Sequence, residues 1–388
     1  MDYSKQSLIC HKKSQGKIQL TSKVPVKTEE DLAIYYTPGV SAPCLAIQKD
    51  HSLAYEYTSK GNLVAVITDG SAILGLGNIG SLAGMPVMEG KSILFKNFAD
   101  IDAFPICLAV QAPEKIIETI KNISPGFAGI NLEDIAAPHC FEIERRLSEE
   151  LDIPVFHDDQ HGTAIVTCAA VLNSLKFTGK SISDIRIVIN GAGAAGTAIA
   201  HMLHQLGAKT ILVCDRQGIL NRQEKKSMSK NKADLLTFCN LENETGSLSD
   251  ALIQADLFIG VSAPGVVTPA MVQSMKKNPI IFAMANPKPE IHPDSAKEAG
   301  AAIVGTGRSD FPNQINNVLV FPGLFRGALD AKAKKITEGM LLAAVKALCS
   351  LIPESDLSEK NILPSVFDLR VVPAIASAVS AQWKKEQV

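Results

Sequence analysis

The feature that most constrains this chain lies near its middle. A β-branched run, Ile185–Ile189, leads at once into GAGAAG (residues 191–196) and a helical segment, Thr197–Leu206, stopped by Gly207. Gly191, Gly193 and Gly196 form G-x-G-x-x-G. The first glycine permits a tight turn, the second lets backbone approach a pyrophosphate, and the third allows close helix and strand packing. The helix N-terminus then offers free N–H groups and a positive dipole end to the anion, with Ala192, Ala194 and Ala195 completing the loop. A second strand, Thr210–Cys214, carries Asp215 at its tip, 19 residues beyond Gly196. An acid there accepts hydrogen bonds from a ribose hydroxyl, which favours NAD, while Arg216 beside it suits the extra phosphate of NADP, so the preference stays open.

Strands expected at Leu257–Val261, Ile280–Ala283 and Ala302–Gly305 continue the alternation of a doubly wound parallel sheet. Gly305-x-Gly307 after the last either faces the cofactor or turns the chain. Before residue 160 the texture differs: short apolar runs at Leu63–Thr68, Ser92–Phe95, Phe104–Val110 and Gly126–Leu132 read as buried strands. The 388 residues suit two domains at about 150 residues each. The fold class expected is α/β: an N-terminal α/β metal and substrate domain over residues 1–160, then a Rossmann-type doubly wound dinucleotide-binding domain over 161–388. Thr163–Phe177, Ala331–Leu348 and Val371–Trp383 read as helices, the last two packing back across the domain interface, and Arg222–Lys232 as an exposed charged excursion.

Two carboxylate pairs stand out, Glu133-Asp134 after a predicted strand and Asp158-Asp159 within HDDQH. Four such groups brought together repel unless separated, protonated or bridged by a cation, and hard oxygen ligands suit Mg²⁺ or Mn²⁺. Equally, they read as loop acids and helix caps. HDDQH also imitates the zinc motif H-E-x-x-H, but Pro154 upstream and a helical pattern starting only near Thr163 oppose placing both histidines on one helical face.

The charge balance, 38 basic against 40 acidic residues, gives no sequence-wide positive field for nucleic acid or an anionic membrane. The uncharged stretch Ile187–Ala208 is long enough to span a bilayer, yet it is the strand, turn and helix already described. The polar start MDYSKQSLICHKK has no apolar h-region, so a cytoplasmic protein is expected. Eight scattered cysteines without a C-x-x-C pair read as reduced hydrophobes.

Taken together, YYTPGVSAPC, DGSAILGLGNIG, MPVMEGKSILFK, GINLEDI, IPVFHDDQHGTA, INGAGAAG, AMANPKPEI and GRSDFPNQINNVLVFPG resemble the malic enzyme family in its short bacterial-type form, from about residue 15 to 345. The resemblance implies oxidative decarboxylation of L-malate to pyruvate and CO₂ with NAD or NADP and Mg²⁺ or Mn²⁺. It places the family's catalytic tyrosine on Tyr36, its lysine on Lys91, its metal carboxylates on Glu133, Asp134 and Asp159, and substrate- and cofactor-facing asparagines on Asn286 and Asn317, with Asn316 adjacent. It also implies a homodimer or higher homo-oligomer. An arginine that helps hold a malate carboxylate in larger members is Ala72 here, and the acetyltransferase-like domain of some relatives is not expected.

In that chemistry Lys91 takes the C2 hydroxyl proton, given a pKa depressed by a cation or burial, and Tyr36 protonates C3. A divalent ion polarises the C2 oxygen. The rivals are a malolactic-type enzyme, a metal-independent hydroxy or amino acid dehydrogenase, and a dinucleotide sensor without turnover.

Overall fold

Parallel strand pairing organises the chain into two sheets in a computed structural model that describes residues 3–388. The first contains β1 (Leu63–Thr68), β2 (Asp102–Cys107), β3 (Gly129–Leu132) and β4 (Val155–His157) in the order β2-β1-β3-β4. The second contains β5 (Arg186–Asn190), β6 (Thr210–Asp215), β7 (Gly218–Ile219), β8 (Leu257–Gly260), β9 (Ile280–Ala283) and β10 (Ile303–Thr306) in the order β10-β9-β8-β5-β6-β7. Only β7 runs antiparallel. The order reverses between β5 and β8, which opens a crevice at their carboxyl ends. Val64–Thr68, β3 and β8 are wholly buried, as strands covered on both faces by helices must be, and this explains their unbroken apolar runs.

Two expectations need correction. Ser92–Phe95 is not a strand but part of the helix Ser81–Ala99, whose buried residues Gly84, Met88, Lys91, Ser92, Phe95 and Ala99 recur every three or four positions. Four apolar residues in a row suit either element; the helical period appears only over the longer segment. Ala331–Leu348 is not continuous, because the chain forms the helix Phe321–Asp330, breaks, and restarts as Glu338–Ser350, where Thr337 accepts a hydrogen bond from the Met340 N–H at 3.1 Å. Arg222–Lys232 is an exposed excursion as expected, though its two ends are tied to the body. The Arg222 guanidinium donates to the carbonyls of Leu236, Asn240 and Leu241, and Lys232 reaches the acid at the tip of β6.

The C-terminal helices do pack back onto the body. Phe321–Asp330 lies against both Ser81–Ala99 and Val371–Glu386, and Glu338–Ser350 lies against Thr163–Thr178. Phe325 meets Phe95 and Phe156 with ring centroids 5.3 and 5.9 Å away, so one hydrophobic core runs through both sheets. Residues 3–57 differ. The helices Tyr3–Ser14, Glu29–Tyr35 and Ser41–Lys49 bury no residue. This arm is held to the body near the Ser81–Ala99 helix, where the Lys17 N–H donates to Glu89 at 3.0 Å and Lys23 pairs with Asp102 at 3.5 Å. Among the described residues no helix is long and apolar enough to cross a membrane.

Candidate active site

β3 and β4 are neighbours in register, Leu132 opposite His157, so the residues following them leave the sheet at one level. Adjacent strand ends thereby bring Glu133, Asp134 and Asp159 together, with one carboxylate oxygen from each lying within 4.8 Å of the others. Asp134 donates its N–H to Asp159 Oδ2 at 2.8 Å and accepts the Leu74 N–H on Oδ1 at 3.2 Å. Its Oδ2 is buried without a partner. Burial, with like charges around it, pushes the Glu133 carboxyl well above the usual range. Burial and then the charge of Asp159 push Asp134 up to about 7. Burial also disfavours ionised Asp159, but His157, whose Nε2 lies 3.3 Å from Oδ2, outweighs it and holds that carboxyl low. Two buried acids, a third partly exposed and an orphaned oxygen are a donor set suited to a hard divalent cation.

Lys91 enters from the buried stripe of the Ser81–Ala99 helix. Its Nζ lies 2.6 Å from Asp158 Oδ2, 3.0 Å from Glu133 Oε1 and 4.3 Å from the Phe321 ring centroid. Burial opposes the ammonium, but Asp158 and then Glu133 outweigh it and hold Lys91 protonated, far above its ordinary range. The sequence reading had the shift in the other direction. The correction is electrostatic: two buried anions in contact with the amine dominate desolvation.

Beneath the cluster sits a residue the sequence reading missed. Glu144 accepts the His157 N–H at 2.7 Å and Gln160 Nε2 at 3.0 Å, and its Oε2 lies 3.0 Å from His161 Nε2. It is thereby the anchor of HDDQH, whose residues Asp158–Gly162 form one wide helical turn leading into Thr163–Thr178. Its only sequence signal was an acid among several on an amphipathic helix. Both histidines serve this network.

The glycine loop divides its labour as the motif requires. A Cβ on Gly191, where φ is +120°, would collide with the Val261 carbonyl, and one on Gly196 with the Gly191 carbonyl, whereas Gly193 faces open space. The helix Ala194–Gln205 begins without a side-chain cap or an acid in its first turn, leaving its N–H groups for an anion. It packs against the Asp158–Gly162 turn, and Ala194 touches the core of the first sheet. The dinucleotide crevice and the acidic cluster therefore share a wall. Asp215 accepts the Gln217 N–H at 2.9 Å and pairs with Lys232 at 2.6 Å, a second residue the sequence reading left as surface charge.

Asn286 lies where the domains meet: a Cβ on Gly75 would strike its carbonyl, and one on Gly307 would come 3.0 Å from its side-chain nitrogen. Gly307 thus turns toward the Asn286 loop. Asn317 starts a short turn beside the acidic cluster, its Cβ 3.2 Å from where a Cβ on Gly162 would lie. At Ala72 only backbone reaches the acids, its N–H donating to the Asp134 carbonyl at 3.0 Å. Tyr36 is not brought to this group. It caps the exposed Glu29–Tyr35 helix and is 66% exposed.

Fold and site together define a two-sheet α/β protein of the nicotinamide-dinucleotide-binding class with a buried acidic cluster beside the cofactor crevice. Residues 15–148 match the malic enzyme N-terminal domain, and residues 160–383 the malic enzyme NAD binding domain. The chain belongs to the malic enzyme family. It is 56% identical to the bifunctional malic/malolactic enzyme of Bacillus subtilis over 98% of this chain and 93% of that one. With the NADP-dependent malic enzyme of Escherichia coli it shares 50% identity over 94% of this chain and 50% of that one. The crystal structure of the NAD-dependent malic enzyme of Thermotoga maritima superimposes with a TM-score of 0.93 at 48% identity, covering 96% of this chain and 98% of that one.

Proposed function

We propose that this protein oxidatively decarboxylates L-malate to pyruvate and CO₂, reducing NAD or NADP, with a divalent cation at Glu133, Asp134 and Asp159. The observation that carries the reading is the shared wall: the uncapped N-terminus of Ala194–Gln205 opens beside a largely buried cluster of three acids and a lysine. An ordinary hydroxy acid dehydrogenase has no use for such an acid cluster. A reaction that drives electrons from a breaking C–C bond into a C2 carbonyl does.

Magnesium or manganese, when bound, supplies Lewis acidity at the substrate C2 oxygen. Lys91 is the proton acceptor for the C2 hydroxyl. Held as an ammonium, its Nζ first passes a proton to Asp158 Oδ2, 2.6 Å away, and the amine so formed then takes the hydroxyl proton. Gly191, Ala192, Gly193, Ala194, Ala195 and Gly196 cradle the pyrophosphate, and Asp215 with Lys232 sits where the adenosine ribose binds. Lys232 holding Asp215 offers a cation to a 2′-phosphate and Asp215 an acceptor to a 2′-hydroxyl, so both cofactors are expected to bind. Asn286 and Asn317 orient substrate against the nicotinamide. In functional terms the chain divides between residues 160 and 161, within the turn between the acidic cluster and Thr163–Thr178. The protein is read as a cytoplasmic homo-oligomer.

The test is absorbance of reduced nicotinamide with L-malate, Mn²⁺ and NAD or NADP, with an EDTA control and assays for pyruvate and lactate. Metal-dependent reduction matched by pyruvate is the expected result. Lactate without net reduction would move the assignment to the malolactic reaction, which the name of the Bacillus subtilis relative includes.

A further inference from the structure

We propose that Glu144 is a positioning residue of the acidic centre: by fastening the Asp158–Gly162 turn it aims two successive aspartates at two different partners, and so sets cation affinity from behind the ligands. The inference rests on the reading that Glu133, Asp134 and Asp159 hold a divalent ion. The demand arises within the turn itself. Asp158 and Asp159 are chain neighbours, yet Asp158 reaches the Lys91 amine at 2.6 Å while Asp159 accepts the Asp134 N–H at 2.8 Å. Asp158 is fully buried with its Oδ1 unpartnered, and it curls back so tightly that a Cβ on Gly162 would strike that oxygen. Adjacent carboxylates repel, so a turn that holds both inward needs a restraint from outside.

Glu144 supplies that restraint from the helix His139–Glu150. The other acids of this helix, Glu142, Glu149 and Glu150, pair with its arginines at the surface, whereas the Glu144 side chain turns inward and is only 12% exposed. Its Oε1 accepts the His157 N–H at 2.7 Å, where the chain enters the turn. Its Oε2 accepts Gln160 Nε2 at 3.0 Å and lies 3.0 Å from His161 Nε2, where the chain leaves it. One carboxylate therefore spans the turn from end to end.

Because a carboxylate only accepts, it fixes more than position. It keeps the nitrogen of the Gln160 amide inward, and the same nitrogen lies 2.8 Å from His157 Nδ1. Nδ1 then accepts, which leaves the ring proton on Nε2, the nitrogen 3.3 Å from Asp159 Oδ2. The chain of contacts runs from Glu144 through Gln160 and His157 and ends on Asp159, a carboxylate of the cation site. Groups that orient a metal ligand in this manner change cation affinity by about 10–100-fold when they are lost. The same turn carries Asp158, so a loosened Glu144 misplaces the proton partner of Lys91 as well.

Titration calorimetry with Mn²⁺ and with NAD, in the absence of substrate, tests the arrangement. Glu144→Gln keeps the volume but offers one acceptor oxygen where two are needed. Gln160→Met cuts the link to His157 while leaving Glu144 in place, and keeps the test standing should Glu144→Gln fail to fold. Ile120→Ala, a buried position on the neighbouring helix Pro113–Ile123, is the control that lowers stability without touching the turn. Glu144→Gln is expected to raise the Kd for Mn²⁺ by about 10–100-fold, and Gln160→Met by about tenfold, with the Kd for NAD unchanged in both. At saturating Mn²⁺, kcat of Glu144→Gln should still fall, because Asp158 loses its aim together with Asp159. A Kd for Mn²⁺ within about twofold of wild type in either variant overturns the proposal. An equal rise in Ile120→Ala overturns it too, since stability alone would then account for the effect. A wild type that binds no Mn²⁺, or binds it as well after Asp134→Asn, instead removes the cation reading itself and the proposal with it.

Discussion

Lys91 shows how a single side chain couples stability to chemistry. Its ammonium is the counter-charge for Asp158 and Glu133 in a water-poor site, and removing one partner of such a cluster leaves uncompensated buried charge. Lys91→Ala is therefore expected to lower kcat by about 10²–10⁴. It is also expected to destabilise the metal-free protein by about 3–5 kcal/mol, with cofactor affinity nearly unchanged. Denaturant unfolding with and without Mn²⁺, beside a fluorescence titration with NADH, separates these effects; normal metal-free stability would remove the ion-pair argument. Asp134 gives the complementary case, since its orphaned Oδ2 gains from a cation. In the wild type, Mn²⁺ at 100 times its Kd should add about 2.7 kcal/mol of stability. Asp134→Asn should abolish that gain without raising the dissociation constant for NAD, and a persisting Mn²⁺-induced rise in Tm would place the ion elsewhere. The acids were legible in the sequence because they stand in adjacent pairs at strand ends. Glu144 and Lys232 were not, because each comes from a separate helix that only the tertiary fold brings to the site.

At the scale of elements, the glycine loop allows backbone packing and ligand approach to be separated. Gly196→Ala forces a methyl into the Gly191 carbonyl, so Tm should fall, whereas Gly193→Ala meets no protein atom. Gly193→Ala is expected to keep Tm and to weaken NAD binding by at least about tenfold, because its methyl occupies the space left for pyrophosphate. Equal Tm losses in the two variants would contradict this division. Asp256 anchors the start of the second sheet, accepting the Arg186 N–H at 3.0 Å and pairing with Lys180 and Lys276 at 3.0 and 2.9 Å. Burial alone would raise its pKa, but the Arg186 amide and the two lysines together hold it below the usual range. A depressed carboxyl stabilises the fold above its unfolded value, and that contribution is lost as pH falls through the folded value. Asp256→Asn should thus cost about 1.5–3 kcal/mol at pH 7. The gap from wild type should close below about pH 4, which urea unfolding across pH will show. The strands of the second sheet were readable from β-branched runs bounded by glycine. The helix around Lys91 was not, because Ser92–Phe95 is one apolar patch of a longer amphipathic stripe interrupted by Pro86.

For the whole molecule, the two parallel sheets are distinct in sequence but not in packing. The division near residue 160 reflects the change from short runs to a strand-turn-helix rhythm, which local patterns record. Among the contacts that bind the halves, those of the C-terminal helices come from residues more than 150 positions away from the first sheet, and no local pattern records them. Phe325, on a C-terminal helix, wedges its ring against Phe95 and Phe156 of the first half, and the core containing these rings continues into Ile187 and Phe282 of the second. A core shared in this way makes neither half an independent folding unit, so calorimetry of the metal-free protein should show one cooperative transition. Phe325→Ala empties the junction and is expected to cost about 3–5 kcal/mol, the range for deleting a buried phenyl ring. Because the loss falls between the halves, the variant's calorimetric enthalpy should exceed its van't Hoff enthalpy as the halves begin to melt separately. Two resolved transitions in the wild type would mean that the dinucleotide domain folds alone and that the C-terminal helices do not couple the halves.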